Sequence, residues 1–165
     1  MTQDYIRSIL HYNPETGVFC FKAREDRRPC WNSRHAGKPT GTKNSRGYIV
    51  IRVDDKLYLA HRLAFLYMKG FMPKTIDHAD GDPSNNKFSN LRACTTSENL
   101  ANTRLRKDNK TGYKGVFYLK RLNKWKAYIR KYGKSKTIGY YDNPEEAAAA
   151  YKKEACRLYG DFARC

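Results

Sequence analysis

The sequence has no apolar run near the roughly 18 residues that a membrane-spanning helix needs. Its mean hydropathy of −0.85 is too polar for a membrane protein, so no membrane partner is expected. The opening MTQDYIRSIL lacks a basic stretch followed by an apolar one. No export signal is therefore expected, and the chain reads as intracellular and cytoplasmic. The five cysteines, Cys20, Cys30, Cys94, Cys156 and Cys165, are odd in number, with no two at zinc-ligand spacing. This argues against a disulfide scaffold and a zinc ribbon, and no structural zinc is expected. Acidic side chains are scarce, with 16 Asp plus Glu against 33 Lys plus Arg and a net charge of +17. Self-repulsion of that size calls for an anionic partner, nucleic acid above all. The 165 residues allow one ordinary domain or two small ones and exclude a large multi-domain enzyme. No internal repeat or low-complexity tract is present.

The charge is uneven. Residues 1–100 hold 16 basic and 10 acidic side chains, and residues 101–165 hold 17 and 6. Between Arg104 and Lys136, 13 basic residues stand with one acid, Asp108, among six aromatics. A merely solvated face has no need of those aromatics. The polar stretch from Arg104 to Thr111, ending in Gly112, looks like a connection and puts a boundary near residue 108.

In the first part, Thr2 can cap a helix running to Leu10, and a turn at Asn13, Pro14 and Gly17 leads into a strand from Val18 to Lys22. Residues 23–46 read as an irregular loop. The alternating segments Tyr48 to Val53 and Lys56 to Ala60 predict a hairpin around Asp54 and Asp55, and His61 to Lys69 predicts a helix stopped by Gly70. In the second part, Gly115 to Leu119, Trp125 to Arg130 and Lys136 to Tyr140 predict a small antiparallel sheet. Asn143 and Pro144 then open a helix with acids in its first turn and Gly160 at its end.

The stretch IDHADGDPSNNKFSNLRACTTSENLAN, residues 76–102, carries the chemistry. Asp77 and His78 end a short β-prone piece, Leu91 to Cys94 can form a second strand, and Thr95 with Glu98 is a capping-box pattern that places Asn99 in the first turn of a helix. If two strands and a helix converge, Asp77, His78 and Asn99 meet. Asp77 and Asn99 offer hard oxygens to a divalent ion such as Mg²⁺, with phosphate and water filling the other positions. Neutral His78, with an ordinary pKa of about 6.5, can take a proton from water. Consecutive strand residues face opposite ways, so the pair needs a bend, which the loop at Ala79 and Asp80 can supply. His61 can support the core or stand near the site. Asn85 and Asn86 read as turn formers, and Arg92 can steady a phosphate or be solvated. His11 and His35 have no partner pattern.

The DH pair, NNKFSNLR with Asn90 and TTSEN with Asn99 resemble, in order and spacing, the HNH nucleases with their ββα-metal core. The resemblance implies His78 as general base, Asp77 and Asn99 as metal ligands, and Asn90 as the loop residue that fixes the motif through hydrogen bonds to backbone. Upstream, YNPETGVF, GKPTG, GYIVIRV and AHRLAF resemble the lead-in of phage and intron-encoded homing members, which suggests a phage or bacterial host cell. Many HNH nucleases end the motif with a histidine ligand where this chain has Asn99; that favours Mg²⁺ or Mn²⁺ over zinc. Downstream, TGYKGVFYLKRLNKWKAYIR, IGYYDNPEEAAAAY and YGDFAR resemble the ethylene-response-factor (APETALA) DNA-binding domain, a three-stranded sheet backed by a helix.

Strand alternation puts Trp125, Ala127 and Ile129 toward the helix and Lys126, Tyr128 and Arg130 outward. Lys114, Phe117 and Thr137 are expected to join that outer face, with Arg92 a further phosphate contact. The expected protein is α+β: an HNH nuclease domain over residues 1–107, its ββα core at about 75–107, and a DNA-binding domain over 108–165. Its expected function is sequence-directed, homing-type cleavage of double-stranded DNA, by nicking or double-strand cutting, with one divalent metal and no small-molecule cofactor, as a monomer or homodimer. The rival is a non-catalytic DNA-binding regulator, which has no need of the intact trio. RNA binding fits the charge but not a sheet built for a major groove.

Overall fold

A computed structural model describes residues 1–164 as a mixed α and β protein of small antiparallel sheets and several helices. It divides into two compact units, one ending at Cys94 and the other beginning at Thr95.

The first unit opens with α1 (Gln3–Ile9), whose N-cap Thr2 accepts the Tyr5 N–H at 3.3 Å. Strands β1 (Leu10–Asn13) and β2 (Val18–Phe21) pair in antiparallel register from Leu10↔Phe21 to Asn13↔Val18. The turn between them uses Gly17 at φ 75°, where an added Cβ would meet the Asn86 carbonyl carbon at 2.4 Å. The sequence predicts an irregular loop over 23–46, but this region contains α2 (Pro29–His35), β3 (Pro39–Thr40) and β4 (Thr42–Lys43). Helix α2 buries none of its residues. It is held by Trp31, edge-on to Phe21 at 5.2 Å, and by Asn32, which exchanges hydrogen bonds with the Arg24 backbone. Neither contact has a periodic signature in sequence.

Strands β5 (Ile49–Val53) and β6 (Lys56–Leu59) form the expected hairpin, turned by Asp54 and Asp55, both at positive φ. Helix α3 (Ala60–Lys69) buries Leu63, Ala64, Phe65 and Leu66 and stops at Gly70 in the left-handed conformation. Its apolar face joins Ile6, Leu10, Phe19, Ile51 and Val53 in one core. Strands β7 (Thr75–His78) and β8 (Leu91–Cys94) then pair from Thr75↔Cys94 to His78↔Leu91.

The second unit begins with α4 (Thr96–Ala101). Its full capping box has Thr95 Oγ1 accepting the Glu98 N–H and the Glu98 carboxylate accepting the Thr95 N–H. Strands β9 (Val116–Leu119), β10 (Lys124–Lys131) and β11 (Lys134–Tyr141) form a sheet in the order β11-β10-β9, with a bulge where Ala127 faces Gly139 and Tyr128 faces Thr137. Helix α5 (Pro144–Tyr159) has Asn143 as N-cap, Pro144 in its first turn and Glu145 and Glu146 at its positive end. Ala147, Tyr151, Ala155 and Tyr159 face the sheet, where Val116, Ala127 and Ile129 are buried. The alanines let helix and strands approach closely.

Candidate active site

His78 ends β7 and is 6% exposed. Its ring stands nearly perpendicular to that of His61, 5.0 Å between centroids, and 5.9 Å from Tyr48, which itself lies 5.4 Å from His61. The start of α3 and the entry to β5 therefore converge on the end of β7. Nε2 of His78 makes a long hydrogen bond, 3.5 Å, with Oδ1 of Asn86. An amide oxygen only accepts, so Nε2 carries the proton and Nδ1 keeps the lone pair.

Asn86 is 3% exposed and fixed on both sides. Its Nδ2 donates to the Ser84 carbonyl at 3.1 Å, and its own carbonyl accepts the Tyr12 hydroxyl at 2.7 Å. The sequence reading takes Asn86 as a turn former and misses this contact with His78. An adjacent Asn85–Asn86 pair looks like loop composition, and nothing local distinguishes the buried member.

Burial pushes the His78 pKa below its ordinary 6.5, against the opposing pull of the Asn86 bond and of Asp80, Asp77 and Asp82. Burial, and then repulsion by His78 and Arg62, lowers His61 to about 4. Both imidazoles are neutral at pH 7, and buried Nδ1 of His61 has no hydrogen-bond partner among the described residues.

Asp77 is 4% exposed and faces Arg92 directly across the β7–β8 pair, where the guanidinium Nη2 bonds the carboxylate Oδ2. Arg92, expected to touch DNA, is thus engaged by Asp77, because the strand register sets the two side by side. In the loop, Asn90 accepts the Asp80 N–H at 3.0 Å and donates to the Asn85 carbonyl at 2.9 Å, while its backbone carbonyl accepts the Ala79 N–H at 2.9 Å. Asp80 Oδ1 also accepts from Asn90 Nδ2 at 3.0 Å. These bonds define the bend just after His78.

Asn99 belongs to the second unit, half-buried on α4, with its N–H on the Thr95 carbonyl at 3.0 Å. Among the described residues no cluster of three or more His, Cys, Asp and Glu side chains forms a metal cage. Asp77 carries a hard carboxylate oxygen and Asn99 a hard amide oxygen, and the Asp77 carboxylate already receives a cationic group in Arg92. Donors of this type suit an Mg²⁺-like ion, which keeps several waters and takes only one or two protein ligands.

On the sheet of the second unit, the outward side chains form a mixed aromatic and basic face. Phe117 meets Tyr128 edge-on at 5.6 Å, and the Lys126 ammonium lies 5.7 Å from the Phe117 ring and 5.9 Å from that of Tyr140. Thr137 faces Tyr128 in register, and exposed Arg130 donates from Nε to the Gly133 carbonyl at 3.1 Å. Tyr140 is an addition to the expected set. Lys114 departs from it: β9 starts only at Val116, and the Lys114 ammonium bonds the backbone carbonyls of Ala101, Thr103 and Arg164. A cation at a helix C-terminus satisfies orphan carbonyls, so this lysine serves α4 instead of the sheet face.

Residues 58–101, from within β6 through α4, match the family described as HNH endonuclease. Over this segment the chain carries an HNH endonuclease domain. Protein 3.8 of Escherichia phage T7 is 35% identical over 89 residues, covering 54% of this chain and 73% of that protein. An uncharacterized HNH endonuclease, L560 of Acanthamoeba polyphaga mimivirus, is 34% identical over 119 residues, covering 71% of this chain and 61% of its own length. No solved structure matches the chain. Among the described residues, no helix is long and apolar enough to cross a membrane.

Proposed function

We propose that the protein is a sequence-directed, homing-type DNA endonuclease that hydrolyses phosphodiester bonds with His78 as general base. The observation that carries this reading is the buried, neutral His78, with Nε2 turned to Asn86, inside the segment that matches the HNH endonuclease family. His78 takes a proton from the attacking water at Nδ1, and Asn90 holds the bend that presents the ring. Asp77 and Asn99 would hold one divalent ion, Mg²⁺ or Mn²⁺. When bound, that ion supplies positive charge to the phosphate and leaving oxygen. His61 and Tyr48 wall the imidazole and keep it neutral.

The second unit serves as an APETALA-type docking module. Lys126 and Arg130 meet phosphates, and Phe117, Tyr128, Tyr140 and Thr137 meet sugar and base edges of double-stranded DNA. A single catalytic unit cuts one strand at a time, so a monomer nicks and a homodimer is needed for paired cuts. Supercoiled plasmid incubated with Mg²⁺ tests the proposal: open circles are expected with the natural chain and none with His78→Ala, while both proteins retain duplex binding. Equal loss of binding and cleavage in His78→Ala would contradict the role of His78.

A further inference from the structure

We infer that the C-terminal unit is a working part of the nuclease, in which Ser97, Lys114 and Tyr159 are positioning residues for the helix that bears Asn99. This deepens the proposed function and rests on its reading of Asn99 as a metal ligand. The HNH match ends at Ala101, and Ala101 is buried in the second unit's core with Ile129, Tyr151, Ala155 and Tyr159. Helix α4 has six residues, far below the roughly 12 to 15 that make an isolated helix even marginally stable. Its N-terminus has its own capping box; the remainder depends on the C-terminal unit.

Two sets of bonds provide that support, one on each side of Asn99. Two residues before it, Ser97 Oγ accepts the Tyr132 N–H at 3.2 Å and meets the Tyr159 hydroxyl at 3.3 Å. That hydroxyl also donates to the Arg130 carbonyl on β10. Two residues after it, the Ala101 carbonyl accepts from the Lys114 ammonium and from the Arg164 N–H at 3.3 Å. The backbone of β10 at Arg130, whose side chain lies on the proposed DNA face, is therefore one hydroxyl away from α4. A ligand displaced by about 1 Å costs on the order of 100-fold in rate, so contacts remote from the phosphate can govern turnover.

The test uses the full chain with Tyr159→Phe, which keeps the buried ring and removes only the hydroxyl, and Lys114→Met beside Lys114→Arg. In nicking assays Tyr159→Phe and Lys114→Met are each expected to lose about 10-fold or more in kcat, with KM and duplex affinity in EDTA unchanged. The half-saturating Mg²⁺ concentration should rise, and metal-free amide exchange over residues 96–102 should quicken. Lys114→Arg should recover part of the loss. Unchanged kcat and Mg²⁺ dependence in Tyr159→Phe and Lys114→Met beside an inactive Asn99→Ala overturns this inference alone. A loss of duplex affinity parallel to kcat also overturns it. Full cleavage by Asn99→Ala overturns the ligand assignment and this inference together.

Discussion

The Asn86 amide oxygen stands 3.5 Å from Nε2 of His78, and both side chains are almost fully buried. This contact favours the tautomer with the proton on Nε2. Asn86→Ala removes the selector without touching the imidazole. The expected result is a fall in kcat of about 10- to 100-fold, the range for loss of orientation in a catalytic group. Plasmid nicking beside duplex affinity checks it, because the affinity should not move.

Asp77 and Arg92 make a second test. Removing one partner of a buried ion pair costs about 3 to 5 kcal/mol, because the other charge stays buried. Arg92→Ala is expected to destabilise the first unit by an amount toward the lower end of that range, since the Arg92 side chain is 22% exposed. Urea unfolding measures it. A change below about 0.5 kcal/mol, the ordinary size for a surface substitution, would show that the pair is only incidental.

Acid should weaken the fold through the histidine pair. The folded pKa of His61 is about 4, below its ordinary 6.5, so between those values the unfolded chain binds more protons than the folded one. The stability supplied by neutral His61 is complete above pH 6.5 and is lost as pH falls toward 4. It amounts to at most about 3 kcal/mol. His78 shifts in the same direction for the same reason, burial. Unfolding midpoints from pH 7.5 to 4.5 should decline in the natural chain and flatten in His61→Phe. A slope unaltered by that substitution would remove His61 as the cause.

Much of the local structure is legible in the sequence because it depends on short-range rules. The capping box at Thr95 and Glu98, the Asp54–Asp55 turn, and the Asn143–Pro144 opening and Gly160 end of α5 are all set by neighbouring residues. Strand alternation likewise separates Lys126, Tyr128 and Arg130 from Ala127 and Ile129. What is hidden depends on contacts between distant segments. Tyr12 reaches 74 residues along the chain to hold Asn86, and Lys114 reaches 50 to the Arg164 carbonyl. Arg24 is buried in an otherwise loop-like stretch because Asp26 and Asp54 neutralise it, and Arg92 is taken up by register, not by composition.

Salt dependence separates docking from chemistry. Each phosphate contact adds about −0.9 to the slope of log affinity against log salt. Lys126→Ala and Arg130→Ala should each reduce that slope by about one, with kcat at saturating DNA preserved. Phe117→Ala should weaken binding with little change of slope, since an aromatic contact releases no counterion. Titration of a fluorescent duplex from 50 to 300 mM salt gives all three results; equal slopes in the natural and lysine-substituted proteins would exclude Lys126 from the interface.

Gly17 offers a test of the catalytic geometry from outside the site. It occupies the β1–β2 turn at φ 75°, and a Cβ there would lie 2.4 Å from the Asn86 carbonyl carbon and 2.5 Å from the Lys87 nitrogen. Both are backbone atoms and cannot rotate away, so Gly17→Ala must push the Asn86 segment or open the turn. The left-handed conformation alone costs a non-glycine residue roughly 1 to 2 kcal/mol. Displacement of Asn86 should also turn the His78 ring. Gly17→Ala is therefore expected to lower the urea midpoint and, at temperatures where it remains folded, to reduce kcat about as far as Asn86→Ala does. If the folded variant cleaves at the natural rate, the amide of Asn86 does not govern the orientation of His78.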